Sequence, residues 1–157
     1  MKILNKNILK IFLTTATVVF SFSYFNKLMA APLESRSDTM SRLGSSSVAS
    51  VYSDHTFQFV TPSGVASTET IVITLPADFN GTGLDDTDVD LFIDSTPDGV
   101  CEGDAVGQTI VAAAPTGSQW SAVFSGTENR TLTLTSGGAS AIVGAGNEVC
   151  IEVGQNA

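Results

Sequence analysis

The sequence predicts an all-β protein, an antiparallel β-sandwich of about seven short strands that follows an N-terminal export segment. Three observations carry this reading. Beyond position 55, apolar residues recur with a period of two, as in Phe57/Phe59, Ile71/Ile73/Leu75 and Val149/Ile151/Val153. That spacing sends them to one face of an extended chain. Clusters of Gly, Pro, Asp, Asn and Ser separate the runs, and these are the residues that tight turns select. No stretch of the region sustains a 3.6-residue apolar period, so no amphipathic helix competes.

Residues 1–31 open with Lys2, Lys6 and Lys10, continue through an apolar stretch from Ile11 to Phe25, and close on Ala30 and Ala31. This is the pattern of a secretory signal peptide, with a helical apolar segment. The alternative is an uncleaved membrane anchor. Ile11–Phe25 is shorter than the ~20 residues a span needs and carries several Thr and Ser, which favours cleavage. Either way the remainder is placed outside the cytoplasm, secreted or at the cell surface. No later segment is apolar enough to span a membrane.

Residues 32–54 read as a Ser-rich polar spacer, with eight serines from Ser35 to Ser53. Ser37–Gly44 fits one short helical turn, with Ser37 or Asp38 as N-cap and Gly44 as its stop. Val48 and Val51 suit an edge strand. Composition favours a flexible tether; the sharper reading is a segment that orders against the domain or a neighbouring copy.

The β-sandwich domain is expected over residues 55–157. Thr56–Val60 is a strand facing Phe57 and Phe59 inward, and Thr61-Pro62-Ser63-Gly64 is a turn. Glu69–Leu75 sets Ile71, Ile73 and Leu75 against Thr70, Val72 and Thr74. Asp88–Asp94 sets Val89, Leu91 and Ile93 against Asp88, Asp90 and Asp94. Gln108–Ala113 is a weak strand, and Gln119–Ser125 places Trp120, Ala122 and Phe124 inward. Arg130–Thr135 offers Leu132 and Leu134. Glu148–Val153 sets Val149, Ile151 and Val153 against Glu148, Cys150 and Glu152. Parallel strands need long crossovers and read as unbroken apolar runs. Two antiparallel sheets packed face to face, as an immunoglobulin-like sandwich, therefore fit best.

All four lysines lie within residues 1–31, which leaves three arginines against sixteen acids, a net charge of −13 for the rest. Such a surface repels phosphates and anionic headgroups, so nucleic acid is excluded as a partner class. The two cysteines of an exported chain predict a disulfide, Cys101–Cys150. Cys150 shares a face with Glu148 and Glu152, so the bridge is expected outside the core, pinning the 95–107 loop to the last strand.

Asp85, Asp86, Asp88, Asp90, Asp94, Asp98, Glu102 and Asp104 fall in one segment without a basic residue. A solvated acidic face is the plain reading. The sharper one is calcium, which takes six to eight oxygens from carboxylates and loop carbonyls; Asp85, Asp86 and Asp88 are then the candidate ligands. Leu91 stands where an EF-hand loop needs glycine. No other cofactor is implied. Catalysis has little support: there is no G-x-S-x-G, His55 is the one histidine, and the alternating side chains of Ser53-Asp54-His55 cannot all converge. His55 reads as a polar residue at a strand start.

The blocks DHTFQFVTPSGVASTETIVITLPADF and DVDLFIDSTPDG resemble immunoglobulin-like sandwich domains of secreted and cell-surface proteins from uncultivated bacteria. Those domains carry an F-x-F-x-x-P-x-G-V, an E-x-I-x-I-x-x-P and a D-V-D-L block. The likeness covers about residues 37–157. It implies an extracellular structural or adhesive role through contacts with other surface proteins or copies of itself, and no enzymatic activity. A calcium- or glycan-binding module using the 85–104 loops is the second class the residues allow.

Overall fold

The structure is a computed structural model, and it describes residues 32–42, 53–101 and 104–154. The signal segment 1–31 and the valines Val48 and Val51 lie outside the described residues. Residues 31–157 form one compact unit. Among the described residues the chain is all-β, with nine strands and two single 3₁₀ turns, and no helix is long and apolar enough to cross a membrane.

The strands are β1 (Glu34–Arg42), β2 (Ser53–Val60), β3 (Thr70–Thr74), β4 (Val89–Asp94), β5 (Val106–Gly107), β6 (Thr109–Val111), β7 (Gln119–Ser125), β8 (Thr131–Ser136) and β9 (Glu148–Val153). They form a five-stranded sheet in the order β1-β2-β9-β4-β5 and a four-stranded sheet in the order β3-β8-β7-β6. Both contribute to one apolar core, the arrangement of a β-sandwich. Val89, Leu91, Val149, Ile151, Val153 and Phe59 meet Ile71, Trp120, Ala122, Leu132 and Leu134 there. These are the inward sets that the period of two predicts. Phe57, Ile73, Ile93 and Phe124 pack at its margin.

Three features depart from the expected architecture. First, Ser37–Gly44 does not begin a helical turn: residues 34–42 are extended and pair antiparallel with β2, Asp38 opposite Phe57 and Met40 opposite His55. Local capping signals lose here to a long-range ladder that satisfies the same backbone groups. Second, the chain changes sheets at Gln108. Its N–H donates to Leu91 O (2.8 Å), after which β6 joins the other sheet. Third, β6 runs parallel to β7, so the four-stranded sheet is mixed rather than antiparallel. A three-residue strand requires the return path to cover only about 10 Å, and the seven residues between Val111 and Gln119 span it.

The turn after β2 forms as its sequence suggests. Gly64 N–H donates to Thr61 O (3.3 Å), and Gly64 takes φ +74° at a point where a Cβ would run into Val143 O. A side chain there would meet both a disfavoured backbone region and a carbonyl. Thr61 is buried and ties this corner to the loop before β9 through Oγ1–H···O=C of Asn147 (3.2 Å).

Trp120 is fully buried at the centre of the core, and its indole Nε1–H finds no hydrogen-bond partner. Trp120→Ala is expected to cost about 3–5 kcal/mol in urea denaturation, from lost transfer energy and the cavity. Trp120→Phe should cost clearly less, because it removes the orphaned donor together with the second ring.

Candidate functional site

The acidic segment divides into two parts with different surroundings. Asp85, Asp86 and Asp88 surround the 3₁₀ turn Asp86–Asp88 that leads into β4. The Asp85 carboxylate accepts from Thr87 Oγ1–H (2.6 Å) and Thr87 N–H (2.9 Å). Asp85 N–H donates to Asp88 Oδ2 (2.9 Å), which completes a reciprocal cap. Residues 86–88 coil rather than extend, so Asp86, Asp88 and Asp90 do not line one strand face. The Thr87 hydroxyl and then its backbone N–H hold the exposed Asp85 carboxyl below its ordinary range. Two of the three predicted ligands thus orient a turn.

The second part lies on the outer face of β4 and β9. Asp94 is directly opposite Glu148, and Phe92 is opposite Cys150. Alternation alone would leave both acids solvated. However, β9 is a central strand between β2 and β4, and the Cys101–Cys150 disulfide holds the following loop over it, with Cα atoms 5.4 Å apart. Asp94 and Glu148 are each only 3% exposed.

Loop donors orient these carboxylates. Thr96 N–H (2.7 Å) and Oγ1–H (3.0 Å) donate to Asp94 Oδ1, and the Thr96 hydroxyl also reaches Asp104 Oδ2 (2.8 Å). Gly99 N–H donates to Glu148 Oε2 (3.2 Å), and Val100 N–H to Asp98 Oδ1 (2.8 Å). Ligand oxygens of Asp94, Asp98 and Glu148 lie within 4.8 Å of one another. Asp94 Oδ2 is buried with no hydrogen-bond partner. At an effective dielectric near 20, two unit charges so close repel by roughly 3–4 kcal/mol, and burial weakens solvent screening further.

The third constellation surrounds His55, on the inner face of β2. It lies near the start of β2, as expected, and is buried, 4% exposed. Its Nδ1 is 3.3 Å from Asp38 Oδ1 and its Nε2 is 3.3 Å from Ser53 Oγ. Ser53 and His55 do converge, being two apart on one strand, and Asp38 of β1 supplies the acid. The order of atoms is that of a Ser-His-Asp relay. Its setting is that of a packed core residue: Phe57 stacks on the ring (centroids 5.7 Å) and Phe79 meets it at right angles (5.2 Å). The Asp38–His55 contact crosses from β1 to β2.

Of the residues gathered on the outer face, Asp94 and Asp98 belong to the acidic segment, whereas alternation by itself places Glu148 on a polar face. The signal that points to it is the disulfide: Glu148 is two residues before Cys150 on the same face, and Asp98 is three before Cys101. Fold and site define an all-β, two-sheet module whose acidic loop is stapled to a central strand. Comparison with protein-family models, curated proteins and solved structures finds no match for this chain.

Replacing both cysteines, Cys101→Ser with Cys150→Ser, is expected to cost about 4 kcal/mol in urea denaturation under non-reducing conditions, since the bridge closes a separation of 49 residues. Removing the Thr87 hydroxyl with Thr87→Ala should move the Asp85 titration up toward the ordinary carboxylate range, read by NMR of the side-chain carboxyl carbon. Because the folded-state value is depressed, those hydrogen bonds stabilise the fold above the ordinary range. Their contribution fades as pH falls through the lowered value.

Proposed function

We propose that this chain is an extracellular structural or adhesive module of immunoglobulin-like type that works through protein–protein contacts, with β1 as the strand exchanged or shared between copies. One observation carries the reading. β1 is an edge strand on which every side chain from Glu34 to Met40 is exposed, including Met40 at 62%. It therefore adds almost no apolar burial to its own core. What holds it is the main-chain ladder to β2 and a few polar contacts, chiefly Asp38 with His55 and Ser37 Oγ–H with Gln58 Oε1 (3.4 Å).

A strand held this way can leave its own sheet and complete that of a neighbour at little net cost, because the ladder is re-formed there. The register shift between Glu34 and Ser37, with Ser35 at φ +46°, limits the regular part of the free edge, as edge strands often do. The remaining surface is acidic and disulfide-stapled, which suits a soluble module outside the cytoplasm. Contact through a strand edge needs no catalytic group, and the packed relay at His55 fits that role.

Light scattering coupled to size-exclusion chromatography, with electron microscopy, tests this on the purified chain with and without residues 32–54. The expected outcome is concentration-dependent assembly that depends on the segment. A monodisperse monomer in both forms would overturn the reading.

A further inference from the structure

We propose that Asp94, Asp98 and Glu148 form a calcium site beneath the disulfide-pinned loop, at a place distinct from the Asp85–Asp88 turn. The inference stands independently of the contact role of β1. An acidic cluster alone would not support it; the state of Asp94 does. That residue is 3% exposed, and its Oδ2 is buried without any hydrogen-bond donor. A carboxylate oxygen removed from water normally has a donor or a cation. Asp94 offers one carboxylate oxygen within 4.8 Å of an oxygen from each of two further carboxylates, and one of those residues, Glu148, is equally buried.

No protein cation relieves this arrangement among the described residues. His55 pairs with Asp38 and Arg130 with Glu128, both away from this cluster. Arg130 is further committed to Thr127 O and Ala77 O. The sequence contains no lysine beyond Lys27. Meanwhile the amides of Thr96, Gly99 and Val100 each hold one oxygen of a carboxylate, which fixes the orientation of all three acids. An all-oxygen donor set selects a hard cation over zinc or copper. Its origin in one exposed and two buried side chains, from a strand pair and a loop, suits calcium, which accepts irregular coordination, better than magnesium, which demands a near-ideal octahedron. Loop carbonyls and water supply the remaining oxygens. The disulfide then holds the two halves of the site together, since Asp98 is on the Cys101 side and Glu148 on the Cys150 side.

The test is titration of the full chain, stripped with EDTA, with calcium chloride by calorimetry, with thermal melts in parallel. Asp98 is exposed, so Asp98→Asn leaves the buried pair in place and should fold, as circular dichroism will show. Asp86→Asn serves as the control at the other acidic turn. The expected result is saturable binding with Kd on the order of 0.1–1 mM. A melting temperature about 5 °C higher in 10 mM calcium, reversed by EDTA, should accompany it. Asp98→Asn should weaken binding by at least about tenfold, while Asp86→Asn binds as the native chain does. Absence of heat and of any melting shift through 10 mM calcium in the native chain would overturn the proposal without reference to any variant. So would undiminished binding by Asp98→Asn, or loss of binding in Asp86→Asn.

Discussion

The constraint on which this molecule depends is the position of β9, the last strand in the sequence, in the middle of the five-stranded sheet. It pairs with β2 on one side and β4 on the other, so the sheet is not continuous until β9 is in place. Val149, Ile151 and Val153 are fully buried against the core, and Cys150 on the opposite face carries the disulfide. One strand of six residues thus joins the two halves of its sheet, fills the core and anchors the acidic loop. Such non-local pairing requires loop-closure entropy to be overcome before its contacts form, which implies slow, cooperative folding.

The buried acids follow from the same placement. In a one-sided sheet Glu148 would face water and Asp94 opposite it would be a tolerable like-charge neighbour. With β9 central and the loop drawn over it by Cys101, the two carboxylates share a site from which water is largely excluded. Loop amides offset part of the desolvation, and Asp94 Oδ2 remains without a donor. The tension in the sheet is electrostatic, and it is local to the place where the disulfide closes the fold.

At the far edge the balance is reversed. β1 contributes ladder hydrogen bonds and the Asp38–His55 contact but almost no buried apolar surface. The sandwich therefore has a firmly determined centre and a weakly held border. Its polar edge strand and its apolar centre are held by different interactions, the first by main-chain pairing and the second by burial.

What the sequence alone determined is what local physics controls. The alternation of Gln119–Ser125 and Glu148–Val153 sets strand identity and inward face, and both strands have the predicted bounds. The turn at Gly64 follows from residue chemistry, and the cysteine pair from there being only two in the sequence. Only the tertiary structure decided which strands became neighbours, because pairing depends on residues distant in the chain. That choice made residues 34–42 a strand rather than a helical turn, sent β6 to the other sheet in parallel with β7, and enclosed His55. It also turned Glu148 from a solvent-facing residue into a partner of Asp94 and Asp98, while Asp85 and Asp88 capped a turn. A period of two says which face a side chain takes; it does not say what will cover that face.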